Sequence, residues 1–549
     1  MSYDIHAVAI DYDGTLTDGS RPSAALLAAV RDVRASGRKC ILVTGRILAE
    51  LRDVFPDVAE HFDAIVGENG AVAAGGRSGV DDRALAPPVA LELEDALRVL
   101  GLPVRRGHVL LASEAVYDPI VNQEIGRLGL ECQIVRNRGE LMILPAGVSK
   151  GTGLIHALDA LNLSQHSTVG IGDAENDHSL LDACEIGVAV ANAIEPLRAR
   201  ADIALDEADG AGVAAFLAGP VLEDLPGIEP LRHQLLLGTW ADGSSARLPA
   251  SRISIAIRGT SGGGKSWFAG SLAEQLIAMH YTVCVLDLEG DHVALADLHG
   301  VVAVGGDHPL PPVNEVVELL SQGITSVVVD LSLHETQARG EYARQLLNAV
   351  RDARRESGIP QWTFIDEAHV PLAHGTAGWW CDEPWPGGMC VITYRPDELC
   401  RNVREGTDWI ITLDSPDRAM IRRRGTDEAR PFAPASRCIS HVRHWHKYTQ
   451  SRLPPGRRFH FRNGAGPTGQ SAANVREFDD AIGAVSHDVL RHHAAHRDFS
   501  KWLDDLCRDR AFHSVVRGIE AAVAMAASPG DVDAMRARLR AVIAEQFAA

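Results

Sequence analysis

The feature that most limits the fold is a recurrence of short apolar runs, each stopping at a polar residue. Ala7–Ile10 runs into Asp11, Ile41–Val43 into Thr44, and Val169–Ile171 into Gly172-Asp173. Amphipathic stretches such as Ala24–Arg34 separate them. Strand and helix patterns in alternation imply a parallel sheet. Ligand sites in such sheets lie at the carboxyl ends of the strands, where these polar residues fall. The pattern returns from about Arg252 to Ala435, with strand candidates Ile253–Ile257, Val283–Leu286, Val327–Val329, Thr363–Ile365, Val391–Thr393 and Ile410–Leu413.

At roughly 100–200 residues per domain, three to four domains are expected for a chain of this size. Of the 549 residues, 1–218 read as one α/β unit with an α+β insertion at about 75–147. Residues 219–250 read as a connector whose Leu235–Leu248 stretch forms a hairpin around Ala241-Asp242-Gly243. A second α/β unit covers 251–435, and 436–549 reads as basic at first and mainly helical from about Ala472, with a break at Ser528-Pro529-Gly530.

Hydrophobic residues make up 46% and charged residues 23%, which excludes a wholly disordered chain or a fibre. No apolar run reaches the roughly 18 residues of a membrane span. Met1-Ser2-Tyr3-Asp4 has no leader character, and the nine cysteines form no CxxC pair, so a reducing, cytoplasmic setting is expected. The net charge of -20 argues against a uniformly basic nucleic-acid binder. It hides a local excess: Arg401–Gln470 holds 14 Arg and Lys against six Asp and Glu.

Asp11-Tyr12-Asp13-Gly14-Thr15-Leu16-Thr17 follows the first strand. Two carboxylates at i and i+2 leaving a strand reach one pocket, where one attacks phosphorus and the other protonates the leaving group, then activates water. Thr44-Gly45-Arg46 offers a hydroxyl and backbone N–H groups to phosphate oxygens, and Lys150 can neutralise charge between nucleophile and phosphate. Gly172-Asp173-Ala174-Glu175-Asn176-Asp177 adds hard oxygen ligands suited to Mg²⁺. In this order, the set resembles the haloacid dehalogenase (HAD) superfamily, in its Cof-like, sugar-phosphatase branch. Gly67-Glu68-Asn69-Gly70-Ala71 is similar to that branch as well. The resemblance implies a Rossmann-like core with Asp11 as nucleophile, Asp13 as acid/base, and Thr44 and Lys150 holding phosphate. It also implies that Asp11, Asp13, Asp173 and Asp177 serve Mg²⁺. The insertion would be the substrate-selecting cap. At roughly 70 residues it is closer to the caps of phosphoglycolate- and sucrose-phosphate-phosphatase relatives. Arg105, Arg106 and Arg136 could bind a second anionic group, but solvated surface arginines are the simpler reading.

Gly259-Thr260-Ser261-Gly262-Gly263-Gly264-Lys265-Ser266 fits GxxxxGK[ST], between the strand Ile253–Ile257 and a helix pattern over Trp267–Met279. Gly259, Gly262, Gly263 and Gly264 let backbone N–H groups wrap phosphate; Lys265 meets the β and γ oxygens and Ser266 ligates Mg²⁺. Asp366 and Glu367, after Thr363–Ile365, suit the second metal-holding acid and the base for water. Asp330 is the rival acid and ranks second because no acid follows it. Asp366-Glu367-Ala368-His369 also spells a DEAH box, but such helicases need two RecA-like domains and about 180 residues hold one. The segment instead resembles the HerA–FtsK ATPases, including the VirB4-like branch, which implies a RecA-like P-loop α/β domain. Asp287-Leu288-Glu289-Gly290-Asp291 looks like their D-x-x-G-[DE] element, and Thr393-Tyr394-Arg395-Pro396 their T-Q-R-P element with Tyr for Gln. Thr393 then substitutes as the γ-phosphate sensor. The resemblance also implies a homo-oligomer, with a hexameric ring as its form. An arginine would enter the neighbour's site, with Arg395, Arg401, Arg404 and Arg422-Arg423-Arg424 as candidates.

His441, His444, His446 and His460 interleave with Trp445, Tyr448, Phe459 and Phe461, a mixture that binds nucleic acid or packs on acidic neighbours. A metal site from these histidines, or from Cys381, Cys390 and Cys400, lacks the usual spacing. The expectation is an Mg²⁺-dependent phosphomonoester hydrolase acting on a sugar phosphate or small phosphorylated acid, coupled to an ATP-hydrolysing P-loop domain, with no membrane partner. Two alternatives use nucleic acid bound through 401–470. One is an end-processing enzyme resembling polynucleotide kinase–phosphatases in architecture. The other is a DNA translocase with an accessory phosphatase.

Overall fold

The computed structural model describes residues 5–18, 20–75, 82–137, 139–219, 230, 232–260, 263–357, 361–415, 417–437, 458–506, 510–526 and 528–547. Among these the strands form an eight-stranded, an 11-stranded and a four-stranded sheet and a two-stranded ribbon.

The eight-stranded sheet runs Ile203–Ala204, Ile186–Ala189, Thr168–Gly172, Ala7–Asp11, Lys39–Val43, Ala64–Gly67, Val72–Gly75, Arg83–Ala84. Its first six strands are parallel and the last two antiparallel. The central strand Ala7–Asp11 is buried along its whole length, as two covered faces require. Helix Ala24–Ala35 is capped by Ser23, whose side chain accepts from the Leu26 N–H, and it buries Leu26, Leu27, Val30 and Val33. Burying each such side chain is worth about 1.5–3 kcal/mol. Inserted after Arg83–Ala84, the antiparallel sheet Arg105–Arg106, Leu111–Glu114, Glu140–Pro145, Cys132–Asn137 carries helices Leu91–Val99 and Asp118–Leu128 and has its own core.

In the 11-stranded sheet, strands Trp409–Ser415, Ser254–Gly259, Met389–Thr393, Gln361–Ile365, Thr282–Asp287, Ser326–Asp330 and Val301–Gly305 lie side by side and parallel. All six strands expected here are present. Beyond Trp409–Ser415 the sheet turns antiparallel through Arg418–Arg423 and Ala429–Pro434, then takes in the hairpin Gln234–Trp240/Ser245–Pro249. Val301–Gly305 and the two strands at 418–434 were not expected. Arg and Pro interrupt the apolar pattern at 418–434, where much of the surface faces outward.

The C-terminal region is mainly helical, with Val475–Ala484, His487–His496, Asp498–Leu506, Arg510–Met525 and Pro529–Phe547. The last helix starts at the expected break. A ribbon, Phe459–Asn463 with Gly466–Ala472, precedes them and buries Phe459 and Phe461 against Phe478 and Phe499 while His460 faces out. So these two phenylalanines are core.

Two candidate active sites

The first site stands at the carboxyl end of the eight-stranded sheet. Asp11 closes the central strand and Thr44 follows its neighbour Lys39–Val43. Lys150 opens helix Lys150–Ala160, which Ser149 and Thr152 cap reciprocally. Only 1% exposed, Lys150 donates from Nζ to Asp11 Oδ1 at 2.5 Å and to Asp177 Oδ1 at 2.6 Å. The Asp173 and Ala174 N–H groups hold Asp177 Oδ2 at 2.9 Å each, and Thr15 Oγ1 donates to Asp173 Oδ1 at 2.9 Å. Burial opposes the Lys150 charge, but Asp11 and Asp177 raise its pKa well above the ordinary lysine value. Burial and then the Asp177 carboxylate push Asp11 above the usual carboxylate range, against the pull of Lys150. Oxygens of Asp11, Asp173 and Asp177 lie within 4.8 Å of one another. An all-carboxylate donor set holding more negative charge than one lysine offsets fits a hard cation such as Mg²⁺.

Asp13 faces elsewhere. Its carboxylate takes a two-pronged bond from Arg46, at 2.8 and 2.6 Å, and Arg46 also lies over the Tyr12 ring. Thr44 is fully buried, and its Oγ1 accepts the Arg46 N–H at 3.1 Å.

Glu68 carries a role that the sequence pattern did not reveal. From its place after strand Ala64–Gly67 it accepts the N–H groups of His108, Val109 and Leu110 at 2.7, 2.8 and 3.1 Å, pinning the inserted unit to the core. Glu68, Asn69 and Gly70 take positive φ in succession. Only glycine fits at 70, since a Cβ there would stand 1.9 Å from Ser149 O. Asn69 Oδ1 accepts from Asn176 at 3.0 Å, and the inserted strand Glu140–Pro145 brings Met142 against Gly45. Arg105 pairs with Glu50 and Glu140, Arg106 with Glu94, and Arg136 with Asp118. All three arginines are paired within the chain, and Arg105 and Arg136 remain exposed surface side chains.

The second site stands at the carboxyl end of strand Ser254–Gly259. Ser261 and Gly262 lie outside the described residues. Gly259 has φ +144, and a Cβ would meet Leu413 O at 2.1 Å; Gly264, at φ +90, turns the chain into helix Lys265–Ala278. Gly263 sits beside Leu413 O, and Ser266 lies in the first turn of that helix. Lys265 Nζ donates to Thr260 O at 2.9 Å and lies over the Tyr394 ring at 5.8 Å.

Strand Met389–Thr393 adjoins the P-loop strand, with Thr393 level with Arg258; Gln361–Ile365, which leads into Asp366 and Glu367, is the next strand out. Asp330 ends a strand two places further away. His369, which the sequence reading left without a role, joins the parts: its Nδ1 is 3.1 Å from Thr393 Oγ1 and 3.2 Å from Glu367 Oε2. Burial pushes His369 below its ordinary pKa. Asp287 instead accepts the N–H groups of Gly290, Asp291 and His292 at 2.7, 3.1 and 2.7 Å, which shapes the loop of the D-x-x-G-[DE] element.

Of the arginine candidates, Arg395 pairs with Glu398, Arg401 with Glu405, and Arg424 with Asp408, while Arg423 lies over Trp409. His441, His444, Trp445, His446 and Tyr448 lie outside the described residues. No described helix is long and apolar enough to cross a membrane.

The family model for haloacid dehalogenase-like hydrolases matches residues 8–99 and 118–217, and that for the central domain of helicase HerA matches 238–364. A phosphoglycolate phosphatase of Methanopyrus kandleri is 32% identical over 227 residues, 38% of this chain and 94% of that protein. One from Archaeoglobus fulgidus is 30% identical over 218 residues, 38% and 95%. A haloacid dehalogenase-like hydrolase structure from B. subtilis aligns over 39% of this chain and 99% of its own, at 18% identity and a TM-score of 0.33. On the strength of its N-terminal α/β unit the chain belongs to the haloacid dehalogenase-like hydrolases, as a phosphatase fused to a HerA-like ATPase domain.

Proposed function

We propose that the chain hydrolyses a small phosphorylated acid of the 2-phosphoglycolate type through an aspartyl-phosphate. The observation that carries the reading is the buried Lys150 held between Asp11 and Asp177, with Asp173 alongside. Asp11 attacks phosphorus, and Lys150 and the Thr44 hydroxyl hold the phosphoryl oxygens. Asp13 protonates the leaving oxygen, then takes a proton from the water that opens the aspartyl-phosphate; for this it must release Arg46. Arg46 is then available to the substrate carboxylate. Asp11, Asp173 and Asp177 would hold Mg²⁺, which when bound offsets charge on the phosphoryl group. The names of the curated relatives favour a phosphorylated acid over a sugar phosphate.

In the ATPase half, Lys265 and Ser266 take the triphosphate and its Mg²⁺ with Asp366, while Glu367 orients water and Thr393 senses the γ-phosphate. The test is phosphate release by the Lys265→Ala protein from 2-phosphoglycolate, sugar phosphates, nucleotides and 3′-phosphorylated DNA, with Asp11→Asn as blank. Release from 2-phosphoglycolate at the highest kcat/KM supports the reading. Release from DNA ends alone would replace it with end processing. The HerA match favours a second reading for the ATPase half, a ring that moves on DNA. ATP hydrolysis stimulated by DNA would support that reading, and unchanged hydrolysis would remove it.

A further inference from the structure

At the end of the phosphatase strands opposite to Asp11, three side chains with metal-ligand chemistry converge. His166 precedes strand Thr168–Gly172, Glu185 precedes strand Ile186–Ala189, and His233 precedes the hairpin strand Gln234–Trp240. One donor atom from each lies within 4.8 Å of the others, and all three residues are buried. His166 Nδ1 is 2.8 Å and His233 Nδ1 3.4 Å from the same carboxylate oxygen, Glu185 Oε2.

The surroundings orient these atoms toward one point. His166 Nε2 stands 2.9 Å from Met279 O, a carbonyl that also accepts from Gln165 Nε2 at 3.5 Å, so Nε2 carries the ring proton. Nδ1 then meets Glu185 either through a second ring proton, as an imidazolium, or across a shared metal cation. Among the described residues, buried His233 Nδ1 has no hydrogen-bond partner. Two imidazole nitrogens facing one carboxylate oxygen need a proton or a metal cation among them. Tyr281 Oη donates to Glu185 Oε2 at 2.8 Å, and the Ser251 hydroxyl donates to Oε1. The Tyr281 ring stacks on His166, centroids 3.5 Å apart and planes 12° apart, which fixes the imidazole. A ring N–H on a backbone carbonyl and hydroxyls on the carboxylate are the supports that orient ligands around protein-bound metals.

We propose that His166 Nδ1, Glu185 Oε2 and His233 Nδ1 bind one divalent transition-metal ion of the zinc class, a site separate from the carboxylate pocket at Asp11. Donors on a tetrahedral zinc with bonds of about 2 Å stand about 3.3 Å apart, and the 2.8 and 3.4 Å separations bracket that value. Two imidazoles and one carboxylate suit zinc rather than magnesium or calcium, which take oxygen donors. His166 and Glu185 belong to the phosphatase sheet and His233 to the chain entering the ATPase sheet. Met279 and Tyr281 follow helix Lys265–Ala278, whose other end is the P-loop. The ion would therefore staple the far end of the P-loop helix to the base of the phosphatase.

The test uses the full-length chain, stripped with a chelator, then loaded with ZnCl2 or CoCl2 and gel-filtered. Wild type and Asp11→Asn should each retain on the order of one equivalent of zinc, and His233→Ala none. His233→Cys, which restores a ligand, should retain it. Bound Co²⁺ should show the visible bands of a tetrahedral site in wild type and lose them in His233→Ala. Should His233→Ala fail to fold, His233→Asn against His233→Cys gives the same contrast. Failure of the wild type to retain zinc would overturn the proposal. So would equal zinc and equal Co²⁺ spectra with and without His233; either result leaves a hydrogen-bonded imidazole–carboxylate cluster.

Discussion

Lys150 is a single buried cation between two carboxylates, and its removal would leave their charge without an internal counterpart. Breaking a buried pair by deleting one partner costs about 3–5 kcal/mol. Lys150→Met is therefore expected to lower the unfolding free energy by that order and to abolish phosphatase turnover, as read by urea melts and phosphate release. Glu68→Gln tests a different function. It keeps the shape but gives up the charge that three N–H groups share, so about 1–3 kcal/mol of cap anchoring is at stake. The expected outcome is a raised KM with the core fold intact by circular dichroism. At the second site Glu367→Gln should leave ATP binding in place while slowing hydrolysis about 10²-fold or more. Equilibrium binding of a labelled nucleotide beside steady-state turnover separates the two effects.

Asp63 ties elements together. It accepts a two-pronged bond from Arg34 at the end of helix Ala24–Ala35, at 3.0 and 3.2 Å, and the Cys40 N–H of the next strand at 3.0 Å. Burial opposes its charge, but Arg34 and the Cys40 N–H hold its carboxyl below the usual aspartate value. A folded-state pKa below the unfolded one gives stability that is present above about pH 3.9 and lost as pH falls through the folded value. Asp63→Asn should thus cost about 1–3 kcal/mol at neutral pH, with the difference from wild type shrinking below pH 4. Urea melts at several pH values check both. Strands Arg418–Arg423 and Phe459–Asn463 bury alternate residues and Ala429–Pro434 buries Phe432 alone, so polar residues break up the apolar runs by which the other strands are legible. The Arg422-Arg423-Arg424 run looked like a candidate for a trans-acting arginine and is in part the exposed face of such a strand.

On the scale of the whole chain, the two catalytic sheets meet through the buried junction of His166, Glu185, Tyr281 and Met279. The P-loop helix ends at that junction. If the two activities are coupled, Lys265→Ala should change phosphatase kcat/KM by about fivefold or more, the usual range of such couplings. Unchanged turnover and unchanged oligomer size by sedimentation would mean two independent engines. The sequence by itself determined the two α/β units, their strands and the motif residues Asp11, Lys150, Lys265 and Asp366, because these signals are local: a strand ends, and a fixed spacing follows. Tertiary structure alone decided that Glu68 clamps the cap, that Arg46 holds Asp13, that His369 bridges Glu367 and Thr393, and that His166, Glu185 and His233 meet. Each of those joins residues distant in sequence or set by backbone turns, and their pairing depends on packing that no spacing along the chain encodes.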